Sequence, residues 1–175
     1  MQALAERELV CFQLRHGHGH GHGQAQRCAD WAVERLRLDE EGDDLDIVLL
    51  ASALGRDEVL PLAEVIIARY RGAQRLGDQF LAGKYIVELR HAYLGGRISV
   101  AALYAIFTRL YPALGYPGWL AMLSRNCEYA LDVADFLLPF GHELHHIAHV
   151  WAEADSLADF EQRYSRETSN EHGAG

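Results

Sequence analysis

The 175-residue chain is half apolar and 23% charged, a balance that supports a buried core and excludes an intrinsically disordered chain. Its formal net charge of -9 excludes a broad nucleic-acid or anionic-membrane surface and favours a basic partner if there is a macromolecular one. No apolar stretch approaches the roughly 20 residues needed to cross a bilayer.

Apolar spacing is helical almost throughout. Residues 2–15 turn Leu4, Leu9, Phe12 and Cys11 toward one side. The strict repeat from His16 to Gly23 follows, and glycine at alternate positions predicts a loop there. A second helix over 24–38 offers Cys28, Trp31, Ala32, Leu36 and Leu38 as inward positions. Asp39 to Asp46 is an acidic turn with six carboxylates: Asp39, Glu40, Glu41, Asp43, Asp44 and Asp46. Its glycine falls at the wrong position for a calcium loop.

Asp46 is expected to cap a segment over 47–54 that reads as buried on all sides. Asp57 precedes a helix to about Tyr70, with Pro61 in its first turn. Gly77-Asp78 opens a helix to Leu94, stopped by Gly95-Gly96, with Phe80, Leu81, Tyr85, Leu89 and Ala92 inward. Ser99 caps a helix that Pro112 is expected to end near Tyr111. Pro117 starts the next, through Trp119, Leu120, Leu123 and Cys127. A short apolar segment, 136–140, leads to a histidine helix at about 142–153. Ser156 with Asp159 then forms a capping-box pattern that opens a last helix to about Arg166.

The expected fold is all-α: a single domain of about eight helices stacked as antiparallel helical hairpins over residues 1–166. A His-Gly loop interrupts it at 16–23, and residues 167–175 form a flexible tail. Cys11, Cys28 and Cys127 are odd in number and widely spaced, which fits buried reduced thiols. The N-terminus lacks a basic start followed by an apolar run, so a cytoplasmic location is expected.

Two groups of histidines bear on chemistry. His142-Glu143-Leu144-His145-His146 contains the H-E-x-x-H pattern, in which two histidines ligate zinc and the glutamate activates its water. At about 100° per residue, His142, His146, His149 and Glu153 share a stripe roughly 60° wide. The third ligand is missing, however. His146 is not followed by the glycine and histidine of a metzincin, and Glu161 and Glu167 sit in no second motif. Pro139 and Gly141 also place the expected helix start beside His142. A histidine-rich polar face is the preferred reading. His16, His18, His20 and His22 would take up metals adventitiously, because a loop without fixed geometry selects none.

Two segments carry a resemblance. The first runs from Leu45 to Leu54 (Leu-Asp-Ile-Val-Leu-Leu-Ala-Ser-Ala-Leu), after the amphipathic helix with Trp31. The second is Asp155-Ser-Leu-Ala-Asp-Phe-Glu161, after Trp151. Together they resemble the small, acidic, all-helical immunity proteins that bacteria encode beside polymorphic or contact-delivered toxins. The resemblance extends loosely over half the chain. It implies a non-enzymatic protein that binds a cognate toxin and blocks its active site, with carboxylates facing a basic nuclease. The functional expectation is therefore a protein-binding domain without catalytic residues or cofactor, whose contacts are Asp39, Glu40, Glu41, Asp43, Asp44 and Asp46. The alternatives are a zinc-dependent hydrolase with His142 and His146 as ligands and Glu143 as base, and a histidine-rich metal-binding protein.

Overall fold

The computed structural model describes residues 2–17, 21–38 and 44–172, with side chains described over 6–17, 23–38 and 44–167. Among the described residues there are nine α-helices and no strand. The all-α class read from the apolar spacing is therefore the observed one. No helix among them is long and apolar enough to cross a membrane. The helices group into two compact units, residues 1–77 and 78–175.

The first unit contains α1 (Gln2–His16), α2 (Gly21–Arg37), α3 (Leu45–Ser52) and α4 (Arg56–Arg71). The loop expected over 16–23 is thus shorter, because His16 ends α1 and Gly21 already begins α2. Residues 18–20 lie outside the described residues. Helix α1 packs against both α2 and α4, and α3 against both α2 and α4. Five successive residues of α1, Val10 to Leu14, are buried. A helix enclosed in this way cannot keep one wholly polar face, and it carries Glu8 and Gln13 inside as well.

Glu8 is only 3% exposed, and its carboxylate has two partners. Arg71 Nε donates to Oε1 at 3.2 Å, and the Leu76 backbone N–H donates to Oε2 at 3.0 Å. Arg56 serves the other end of α1, donating to the carbonyls of Leu14 at 2.7 Å and Arg15 at 3.3 Å. Those terminal carbonyls have no partner within the helix.

The second unit contains α5 (Asp78–Leu94), α6 (Val100–Ala113), α7 (Gly118–Asp132), α8 (Leu137–Glu153) and α9 (Leu157–His172). Its hub is α8, which packs against α5, α7 and α9. Phe140, Leu144, Ile147, Ala148 and Trp151 of α8 are all buried. Their i, i+4, i+7, i+8, i+11 spacing makes one helical stripe.

Trp151 is fully buried; its ring stacks on Phe160 at 3.8 Å and meets Trp119 edge-on at 5.3 Å. Gly83 of α5 lies against the Trp151 indole with no room for a Cβ. Lys84 Nζ donates to the carbonyls of Trp151 and Ala154, both at 2.7 Å, and so closes the C-terminus of α8. Burial lowers the Lys84 pKa, although Asp155 and Asp159 oppose that effect.

Several boundaries differ from expectation for identifiable reasons. Pro112 does not end α6. The stop comes from Gly115 at φ +75°, where Tyr116 N–H bonds Tyr111 O and Gly115 N–H bonds Pro112 O. The same pair of bonds at Gly96 ends α5 as expected. Helix α8 begins at Leu137, which places Pro139 in the first turn, where its missing N–H does no harm. Helix α9 continues to His172, beyond the expected end near Arg166, so 167–172 are helical and not a loose tail. Ser156 Oγ accepts from Asp159 N–H at 3.1 Å, and the Asp159 carboxylate accepts from Asp155 N–H at 3.1 Å, so the capping pattern is formed.

Candidate functional site

The histidines of α8 diverge. His145 Nδ1 accepts from Arg90 of α5 at 2.6 Å. His146 Nδ1 lies 3.3 Å from Glu167 of α9, and its ring is 5.7 Å from Tyr164. His149 Nε2 is 3.7 Å from Glu153, one turn on in the same helix. His142 is exposed and Glu143 half-buried. The expected stripe of His142, His146 and His149 therefore exists as helix geometry, but His146 and His149 face different carboxylates. Among the described residues, no group of three or more His, Cys, Asp or Glu side chains is placed to hold a metal ion.

Two features of the structure favour a metal more than the sequence does. His142 lies well inside α8, because the helix starts at Leu137. One of the two glutamates named as candidate ligands, Glu167, does approach the motif. Its approach is not legible from the apolar spacing, which ends the last helix near Arg166, one residue before Glu167 and six before the observed end at His172. In the loop repeat, His16 ends α1 with its ring 4.6 Å from Phe12. His18 and His20 lie outside the described residues, as does the side chain of His22. A surface pocket of about 260 Å³ in this unit is walled by Trp119, Phe160, Glu161 and Tyr164 and contains none of the α8 histidines.

Arg90 sets the protonation of His145. The guanidinium charge lowers the imidazole pKa, helped by desolvation and by His149, His142 and His146. The guanidinium can only donate, so its bond at Nδ1 also requires the neutral ring's lone pair. The unfolded imidazole takes its proton near the ordinary value of 6.5, and the folded one takes it at lower pH. Falling pH therefore removes stability from 6.5 downward, until the folded ring protonates as well. NMR titration of the ring protons should give His145 a midpoint below 6.5, and Arg90→Gln should raise it. A midpoint that Arg90→Gln leaves unmoved would rule this origin out.

Of the six acidic residues from Asp39 to Asp46, the two that are described, Asp44 and Asp46, belong to the first unit. Asp39, Glu40, Glu41 and Asp43 lie outside the described residues. Asp44, not Asp46, is the cap of α3; it accepts from Asp46 N–H at 3.0 Å. Arg69 of α4 donates to Asp44 at 2.6 Å and also pairs with Asp46. The Arg69 hydrogen bond is the largest cause holding the Asp44 pKa below the usual range. These two carboxylates are thus partly neutralised within the chain and fixed in place.

Helix α3 departs furthest from expectation. Only Ile47 and Leu50 are buried, against α2 and α4, while Leu45, Val48 and Leu49 are 67%, 41% and 45% exposed. A helix lying on two others hides about half its circumference, so an apolar run of this length must present its remaining residues outward. The result is an i, i+3, i+4 apolar ridge that begins directly after the cap residue Asp44. Leu54, just beyond α3, is 82% exposed. A grouped set of large apolar side chains on a surface marks an interaction site more often than scattered ones do. No known family model, curated protein or solved structure matches the chain.

Proposed function

We propose that the protein is a non-enzymatic binding domain of the immunity type, which blocks a basic protein toxin by covering it with the outer face of α3 and the acidic turn before it. The observation that carries this reading is the Leu45–Val48–Leu49 ridge. Exposed leucine and valine at helical spacing supply the dry centre of an interface, and the carboxylates that precede them in sequence supply its charge. A net charge of -9 favours a cationic partner and speeds encounter with it. Asp44 and Asp46 act mainly by shaping α3, since Arg69 already holds both. The steering charge then falls to Asp39, Glu40, Glu41 and Asp43.

The test is a titration of the purified protein against basic toxin domains, taking first any that is encoded beside its gene, at two salt concentrations. Binding should weaken with salt. The pair Val48→Asp and Leu49→Asp should weaken it by about a hundredfold while leaving the helical signal intact, as expected for central interface positions. Both side chains already face solvent, so loss of binding will not be loss of fold. Tight binding that neither salt nor the double substitution alters would defeat the proposal.

The second reading, a zinc-dependent hydrolase with Glu143 as base, draws on Glu167 standing 3.3 Å from His146. Elemental analysis after deletion of the His-Gly repeat separates the two. Under the binding reading, no stoichiometric zinc remains after dialysis. Zinc that persists, and that is lost in His146→Ala, would put the hydrolase first.

A further inference from the structure

Helices α1 and α2 form a hairpin with a short connection. Cys11 stands five residues before the end of α1 and Cys28 seven residues after the start of α2. At 1.5 Å per residue the two are about 8 and 10 Å from the turn, at one level of the hairpin. Both are free, buried thiols. Their side chains line one cavity of about 10 Å³ together with Arg7 and Trp31.

Arg7 adds an independent observation. Its Nη1 donates to Arg27 O at 3.3 Å, whereas its Nε is buried without an acceptor. A buried, unpartnered guanidinium N–H on the wall of the cavity that both thiols line favours a thiolate there over a neutral thiol. The Cys11 side chain lowers the Cys28 pKa and, against the cost of burial, Arg7 and Arg27 lower it further. Cys11 is pushed up, by Cys28 and then by burial. Arg7 lies on the wall of that shared cavity, and of the two thiols Cys28 is the more readily ionised.

We propose that Cys11 and Cys28 form a dithiol modification site, which a low-molecular-weight disulfide oxidises to an intramolecular crosslink between α1 and α2. Cys28 Sγ, as thiolate, attacks one sulfur of the small disulfide. A protein–small-molecule disulfide forms, and one small thiolate leaves, taking up the proton that Cys28 gave up. Cys11 then loses its proton, and its Sγ attacks Cys28 Sγ and expels the second small thiolate, which takes that proton. Two cysteine thiols are oxidised to one disulfide, and one small disulfide is reduced to two thiols. The crosslink fastens the hairpin across the segment that carries His16, His18, His20 and His22. The inference is independent of the partner-binding reading.

Cys127 is the internal control. It is buried in the second unit, its thiol donates to Val100 O at 3.7 Å, and burial pushes its pKa up to about 12. The experiment incubates the full chain with oxidised glutathione at neutral pH, then alkylates it in denaturant and maps the peptides by mass. Alkylatable thiols should fall from three to one. The survivor should be Cys127, a peptide joining Cys11 to Cys28 should appear, and dithiothreitol should reverse the change. Three surviving thiols, or loss of Cys127 in place of the pair, would overturn the proposal. This readout uses the native sequence, so it does not depend on any variant folding. Cys11→Ser should stop at a glutathione adduct on Cys28, and Arg7→Met should slow that adduct several-fold. An adduct on Cys11 in Cys28→Ser, formed at the native rate, would contradict the assigned roles.

Discussion

Gly83→Ala is expected to destabilise the second unit by about 3 kcal/mol, the upper end of the usual range for overpacking a core. A Cβ at this position would lie inside the contact distance of the Trp151 indole, with three ring atoms nearest to it. The indole has no free side to move into. It is fully buried, stacked on Phe160 and flanked edge-on by Trp119 and Phe80. Relief must come from separating α5 from α8, which also draws Lys84 away from the carbonyls that end α8. Gly141→Ala is the matching control. It too lies within a helix of this unit, but nothing stands within 4 Å of its added Cβ, so it should stabilise by up to about 1 kcal/mol through helix propensity. Urea unfolding followed by tryptophan fluorescence measures both. Equal midpoints for the two variants would contradict the packing described for Trp151.

Glu8→Ala is expected to cost the first unit about 3–5 kcal/mol, the usual penalty for breaking a buried ion pair from one side. Arg71, with 10% of its side chain exposed, would keep its charge and lose its partner. The Leu76 N–H would lose its acceptor too. Glu8→Gln should fall between wild type and Glu8→Ala, since an amide oxygen still serves Leu76. Glu8→Leu combined with Arg71→Leu should recover most of the loss, because the uncompensated charge is gone. If the double variant is no more stable than Glu8→Ala, the penalty is one of packing and not of charge.

These positions also indicate how much could be read from the chain. Helical spacing is a local property, and it gives the class and most elements correctly, down to the Ser99 cap and the Gly95-Gly96 stop. Errors arise where two local signals compete. Pro139 and Pro112 both read as helix breakers, but Pro139 falls in a first turn, where its missing N–H does no harm, and α6 runs only one residue past Pro112. The α3 run reads as wholly buried because hydrophobicity alone does not say how many neighbours a helix has.

Long-range pairings leave no local trace. The Arg71–Glu8 pair spans 63 residues and the Arg69–Asp44 pair 25, so neither the burial of Glu8 nor the restraint on Asp44 could be anticipated. The divergence of the α8 histidines has the same origin, because Arg90 and Glu167 come from other helices. Cys11 and Cys28 were legible as buried thiols, but their pairing depends on how short the hairpin turn is.

The Glu8–Leu76 bond has a consequence for biosynthesis. Its partners are 68 residues apart, so a ribosome adding about 5–20 residues per second completes the second roughly 3–14 s after the first. Throughout that interval α1, with its central residues destined for the interior, has no finished compartment to enter. Nascent chains halted before Arg71 should accordingly remain open to protease along α1, and release past Leu76 should close it in a single step.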